Sequence, residues 1–227
     1  MNEIENIEII AKNKCFIIWG CAGHASVLLD IIEYIGGKVV AFIDIEVKES
    51  LLEGIPIFND CNICVDWCIR QGYRLDEILG ISAIGRIGID RIIIKKKFND
   101  IGVKMPIIID STAILSPQSK IGDGSQILAQ ALIGAKVNIG EVCIINHGAN
   151  IDHECIIENG VFVAPRAILC GCVLVGESAY IGAGAVILPR VKIGARAVIG
   201  AGAVVTKDVI AGDVVVGNPA KSIKILD

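Results

Sequence analysis

Cut every six residues, positions 121–205 read IGDGSQ ILAQAL IGAKVN IGEVCI INHGAN IDHECI IENGVF VAPRAI LCGCVL VGESAY IGAGAV ILPRVK IGARAV IGAGAV V. The first place of every block is a branched aliphatic residue, from Ile121 through Ile151 and Leu169 to Val205. The fifth place is small: Ser125, Ala131, Val137, Cys143, Ala149, Cys155 and onward to Ala203 and Val209. The frame runs backward through Leu115 with Ser119 and Ile109 with Ala113. A period of six fits neither the α-helix nor two-residue strand alternation. It is the repeat of a parallel β-helix, in which each block makes one flat side and stacked coils bury one continuous core. Glycine recurs at the second place (Gly122, Gly140, Gly176, Gly182, Gly194, Gly200), where it is expected to form tight corners. An ordinary sandwich would need fifteen consecutive coincidences at two places per block.

The stretch resembles the hexapeptide acyltransferases, which implies three blocks per coil and a left-handed winding. Spacing alone does not give the hand, and a left-handed turn runs against the usual crossover rule.

Before the repeat, Cys15–Trp19 (CFIIW) is a short apolar run followed by Gly20-Cys21-Ala22-Gly23-His24 and an amphipathic segment, Ala25 to Tyr34. Strand, glycine turn and helix open a nucleotide-binding unit, with the phosphate expected at the helix N-terminus. The full GxGxxG fingerprint is missing, so a generic dinucleotide site does not follow. Lys38 to Ile43 gives a second strand ending in Asp44, a place for a ribose contact. Helix 60–72, strand 77–82, a Gly85-Arg86 turn, helix 87–99 and strand 104–109 continue the alternation. The expected architecture is a Rossmann-like α/β domain over residues 1–108, then an all-β left-handed parallel β-helix over 109–227. A structural cap on the solenoid is the alternative role for the first domain.

Composition narrows the classes. The hydrophobic share is 53% and the mean hydropathy +0.65, yet no apolar run approaches the ~20 residues of a membrane helix. Inward-facing solenoid residues account for the excess. A net charge of −4 with no basic face argues against nucleic acid as a partner. Met1 to Asn13 lacks the basic and apolar regions of a signal peptide, so the nine cysteines are expected as reduced thiols in a cytoplasmic protein. Cys61, Cys64 and Cys68 could ligate a metal. With Val65 they also form an i, i+3, i+4, i+7 stripe, and no fourth ligand lies nearby. The buried stripe is the reading adopted.

Polar interruptions of the coils carry the chemistry. His153 takes the third place of its block and should point outward. With three blocks per coil the residue stacked on it is Gly171, about 4.8 Å away. The imidazole then faces backbone with no side chain in the way, and the Gly171 N–H is free to serve as an oxyanion donor. Glu154 is placed to bond one ring nitrogen and leave the other as a base. A surface histidine without a task is the alternative. His147 is the weaker candidate because Pro165 stacks on it.

The whole chain resembles the bacterial nucleotide-amino-sugar N-acetyltransferases, which share their architecture with sialic acid O-acetyltransferases. GCAGHA, FID, AIG at 83–85, IDHE and the closing VVVGNPAK carry the likeness. The resemblance implies His153 as general base, Glu154 as its polarising partner, Asn146 near the reacting amine and Gly171 as backbone donor to the thioester oxygen. It implies that Gly20, Gly23 and His24 hold the sugar nucleotide's phosphates, with Asp44 at the nucleoside and Gly85 with Arg86 on the facing loop. Acetyl-CoA is implied at Gly182, Ala183, Ala201 and the 217–221 segment with Gly217, Pro219 and Lys221. Phe162 stands where some relatives have a second, cofactor-side histidine nine residues after the base. The implied unit is a homotrimer with the cofactor between neighbours. Outward Ile144, Ile156, Ile168, Leu174 and Val186 agree with a covered surface.

The implied reaction is direct acetyl transfer to the 4-amino group of a nucleotide-linked 4-amino-4,6-dideoxysugar. Cys155 points inward, and neither it nor Cys170 sits at the matched position, so a cysteine nucleophile is the weaker choice. Carbonic-anhydrase-like enzymes of this fold bind zinc through three histidines. These coils hold two, in adjacent blocks, so no metal is expected. O-acetylation of a sialic-acid-like sugar and a non-catalytic sugar-nucleotide-binding subunit remain as alternatives.

Overall fold

The computed structural model describes residues 13–46, 49–85 and 88–225. Contacts divide the chain into two compact units, Met1–Gly85 with Ile93–Pro106, and Arg86–Ile92 with Ile107–Asp227.

The first unit holds a parallel sheet in the order β3-β2-β1-β4, made of β1 (Cys15–Trp19), β2 (Lys38–Ile43), β3 (Ile57–Phe58) and β4 (Ile78–Ser82). Phe16, Ile17 and Ile18 of β1 are 0% exposed, which explains the unbroken apolar run of a strand covered on both faces. Helix α1 (Gly23–Tyr34) buries Ala25, Leu28, Ile31 and Ile32. Helix α2 (Cys61–Arg70) is capped by Asp60, whose side chain accepts from the Ile63 N–H at 3.0 Å. Its buried face is the stripe Cys61, Cys64, Val65 and Cys68. Burial pushes the Cys61 thiol up to about 12. A hydrogen bond with Cys68, and then burial, raise the Cys64 thiol. These sulfurs are core.

Helix α3 (Gly88–Asp100) follows, and Trp19 packs edge-on against its Phe98 with ring centroids 5.7 Å apart. The expected strand 104–109 is two separate pieces. Lys104 bridges Leu79 of β4, whereas Ile108–Ile109 pairs with Gln126–Ile127 in the solenoid. Pro106 lies between them and has no N–H for a ladder.

The second unit is a left-handed parallel β-helix. Two-residue strands from Ile108–Ile109 to Val204–Val205 pair with one another at a spacing of eighteen residues, so three blocks complete a coil, and the last coil is shorter, with Val198 pairing to Val214. Three parallel sheets result. The first contains Asn138, Ile156 and Leu174, the second Ile144, Phe162 and Tyr180, and the third Asn150, Ile168 and Val186. First-place residues fill the interior: Ile127, Ile145, Ile151, Val163, Leu169, Ile181, Ile187 and Ile199 are all 0% exposed. The second sheet is completed by an antiparallel pair, Asp213–Val216 with Lys221–Ile225.

Two expectations change here. The corners turn on the fourth place of each block, not the second. From Gly124 and Gln130 through Glu154 and Cys172 to Arg196 and Gly202, every fourth-place residue has a positive φ. Non-glycine residues tolerate that conformation singly at modest cost. Second-place glycines answer a different constraint, the close approach of the next coil. A Cβ on Gly122 would lie 2.6 Å from the Gly140 carbonyl carbon, and one on Gly176 would lie 2.5 Å from the Ala195 nitrogen.

The second correction concerns Ile144, which was expected to face outward and be covered by a neighbouring chain, and is already 0% exposed within the single chain. Arg91 lies against the outer side of its sheet. The guanidinium donates to the Val142 and Gly160 carbonyls and stands 6.0 Å from the Phe162 ring centroid. Desolvation lowers its pKa to about 10. Ile114, Ile156 and Ile168 stay exposed at 64%, 46% and 41%.

Candidate active site

His153 and Glu154 form the turn between the third sheet, at Asn150–Ile151, and the first, at Ile156–Ile157. Asp152 Oδ1 accepts from the His153 N–H at 2.7 Å and pins the turn. Glu154 takes the left-handed place, φ 58°, which bends its carboxylate back to the imidazole. Glu154 Oε2 lies 3.2 Å from His153 Nδ1, and Asp152 Oδ2 lies 4.0 Å from Nε2. The imidazole side chain is 53% exposed.

Gly171 stacks directly on the ring. A Cβ built there would come within 2.6 Å of His153 Cε1, so only glycine leaves the imidazole its present position. The Gly171 carbonyl accepts from the Arg190 N–H at 3.0 Å, and its own N–H enters no backbone pairing among the described residues. An imidazole held by a carboxylate, beside an uncommitted backbone donor, can move a proton and stabilise an oxyanion.

The fourth-place column at this edge was overlooked in the sequence. Lys136 Nζ approaches Glu154 Oε1 to 3.9 Å, and the Cys172 thiol lies 3.8 Å from Glu154 Oε2. The eighteen-residue stacking that pairs His153 with Gly171 also pairs Lys136, Glu154 and Cys172. Applying it at the fourth place would have found them. Cys155 is fully buried, with its thiol raised to about 11 by burial and donating to the Cys170 carbonyl at 3.2 Å.

The other expected residues do not gather round His153 within one chain. Asn146 (9% exposed, its Oδ1 accepting from the His147 N–H at 2.8 Å), Gly182, Ala183 and Ala201 share a different edge, between the second and third sheets. Ala183, Ala201, Gly217, Pro219 and Lys221 are exposed, while Gly182 is buried. Phe162 was expected against the cofactor. It is 9% exposed, stacked on Tyr180 at 5.1 Å with Arg91 over it, so little of its ring is free in the single chain.

In the first unit the expected nucleotide residues lie at the carboxyl ends of β1, β2 and β4. Strand order reverses beside β1, where such sheets take ligands. Gly20 adopts φ 106° and hands the chain to α1, whose cap residue Ala22 offers no side-chain hydrogen bond. Asp44 Oδ2 accepts from the Cys21 N–H at 2.8 Å and Oδ1 from the Glu46 N–H at 2.9 Å, tying the glycine turn to the end of β2. Gly23 is exposed, and His24 and Gly85 are half-buried. Arg86 lies outside the described residues. A cavity of about 310 Å³ opens at the same end of the sheet, lined by Trp19, Ile45, Asn59, Asn62 and Lys97 among others.

Two family models match the chain: the PglD N-terminal domain over residues 15–87 and the bacterial transferase hexapeptide (six repeats) over 172–207. PerB from Caulobacter crescentus, solved in complex with CoA and GDP-perosamine, is 31% identical over 92% of this chain and 97% of its own, with a TM-score of 0.83. The chain belongs to the hexapeptide-repeat nucleotide-amino-sugar N-acetyltransferases. It is an acetyltransferase by that membership. The acetyltransferase domain of PglB from Neisseria gonorrhoeae FA1090 is 28% identical over 93% of this chain and 100% of its own, with a TM-score of 0.81. WeeI from Acinetobacter baumannii AYE is 26% identical over 92% and 100%, with a TM-score of 0.82. A sequence search of curated proteins returns no match. Among the described residues no helix is long and apolar enough to cross a membrane.

Proposed function

We propose that this protein transfers the acetyl group of acetyl-CoA to the 4-amino group of a nucleotide-linked 4-amino-4,6-dideoxysugar, with His153 as general base. The observation that carries the reading is the His153–Glu154 pair, 3.2 Å apart, beneath a residue with no side chain. The CoA and GDP-perosamine bound to PerB support both the donor and the class of acceptor.

Glu154 accepts from Nδ1–H, which leaves the Nε2 lone pair to take a proton as the sugar amine attacks the thioester carbonyl. The Gly171 N–H stabilises the oxyanion, and CoA thiolate departs. General-base assistance of this kind contributes about 10²–10⁴-fold, and one oxyanion donor about 10²–10³-fold. The sugar nucleotide binds at the glycine turn, Asp44 and Gly85, with its phosphates at the N-terminus of α1.

The active unit is a homotrimer in this reading. Asn146 and the acetyl-CoA residues Gly182, Ala183 and Ala201 share one edge of the solenoid, and His153 lies on another. A second copy can bring the two edges together and cover the exposed Ile156 and Ile168. CoA release measured against UDP-, dTDP- and GDP-linked amino sugars, with sialic-acid-like hydroxyl acceptors alongside, tests the chemistry. Thiol release with hydroxyl acceptors alone would make this an O-acetyltransferase, and none with any acceptor would make it a binding subunit. Mixing inactive His153→Ala and Asn146→Ala chains tests the assembly. Recovered activity is expected if each site draws on two copies, and no recovery refutes it.

A further inference from the structure

His153, Glu154 and Cys172 bring three different metal-ligating groups together on one edge of the solenoid, with one donor atom of each within 4.8 Å of the others. Glu154 Oε2 is the hub, 3.2 Å from His153 Nδ1 and 3.8 Å from Cys172 Sγ. Tetrahedral zinc, with bonds of about 2.0–2.3 Å, sets its ligand atoms roughly 3.4–3.7 Å apart. The triangle needs only small side-chain rotations to reach that size. All three groups are at least partly open to solvent in the single chain, and in the proposed trimer the edge must still admit an acceptor, so an ion can enter and keep a water as fourth ligand. Seven of the nine cysteines are buried, and only Cys170 and Cys172 are accessible.

We propose that this edge is an inhibitory site for a soft divalent cation, zinc above all, held by His153 Nδ1, the Glu154 carboxylate and the Cys172 thiolate. Imidazole, carboxylate and thiolate together select zinc and its congeners over magnesium or calcium, which take oxygen ligands. Binding releases the thiol proton to solvent. It also fixes the imidazole in the wrong tautomer: with the metal on Nδ1, the remaining proton sits on Nε2, which can no longer accept one from an amine. The ion consumes the Glu154 carboxylate as well. The enzyme does not need this metal, which competes with the reaction's proton. Lys136, 3.9 Å from Glu154 Oε1, opposes the cation and keeps the site weaker than a structural zinc centre.

The inhibitory consequence rests on the proposed role of His153, whereas the binding does not. The experiment therefore reads binding without substrate. The full-length protein, kept reduced by a phosphine, is titrated with Co²⁺ and then with Zn²⁺. One Co²⁺ per chain is expected, with tetrahedral visible bands and thiolate-to-cobalt absorption in the near ultraviolet, all displaced by one equivalent of zinc. Cys172→Gly suits the left-handed backbone there (φ 63°), so the fold should persist, and it should lose the thiolate absorption. Cys170→Ala should keep it. Glu154→Gln should weaken binding by about 10-fold or more. Absorption that is missing from the unaltered protein, or that survives Cys172→Gly, overturns the site. In the acetyl-transfer assay, the ratio of rates with and without zinc should return to unity in Cys172→Gly, and a ratio like the unaltered protein's overturns the inhibition. If no acceptor supports transfer, the functional reading fails while the cobalt spectrum still decides the metal site.

Discussion

His147 and His153 hold the same third place in consecutive blocks, one side of the coil apart, yet their surroundings differ. His147 lies under Pro165 and beside Asn146, whose amide oxygen is committed to its backbone N–H. His153 lies under Gly171 with a carboxylate on Nδ1. In a solenoid the residue that leaves a histidine open or covered is the one eighteen positions later. In the proposed mechanism a ring on this scaffold serves as base where the next coil withholds a side chain and the same corner supplies a carboxylate.

Four substitutions press on that comparison. His153→Ala should cost about 10²-fold or more in turnover, read as kcat for CoA release, with the circular dichroism unchanged. Near-normal turnover would put both histidines in the same class. Gly171→Ala keeps the base and fills the space, since its Cβ falls 2.6 Å from Cε1. A displaced imidazole should lower kcat by about 10–100-fold. Arg91→Met tests the face that is closed by packing. Two carbonyls, Val142 and Gly160, lose a buried charged donor, which should cost about 1–3 kcal/mol in chemical denaturation. An unchanged midpoint would mean that water replaces the guanidinium. His147→Ala should change kcat by about twofold or less, an effect the size of an ordinary surface substitution. A loss matching that of His153→Ala would remove the distinction drawn from Pro165 and Gly171.

The solenoid was legible because its register is rigid: once three blocks make a coil, every stacked neighbour as far as Val205 follows by adding eighteen. That rule gave the interior, the outward direction of His153 and its meeting with Gly171. It also contains Lys136 and Cys172, which stack on Glu154 at the fourth place, one step beyond the outward position of the imidazole. Arg91 could not be foreseen in this way. Its acceptors lie 51 and 69 residues downstream, and nothing in a helical stretch marks one arginine as buried. The split at Pro106 was visible in principle, since a residue without an N–H interrupts a ladder. In the first unit, Asp44 was expected to reach a ribose. Its carboxylate already receives two backbone N–H groups, so it shapes the turn.

Eighteen-residue pairing also governs how such a chain can change in length. Adding one coil beyond Arg190 would extend the prism and leave His153 and Gly171 face to face. Adding one residue between them would move every later side chain off its stack and bring Cys170 over the ring in place of the glycine. Viable insertions in this half of the molecule are therefore quantised, arriving as whole coils or as loops bulging from a corner.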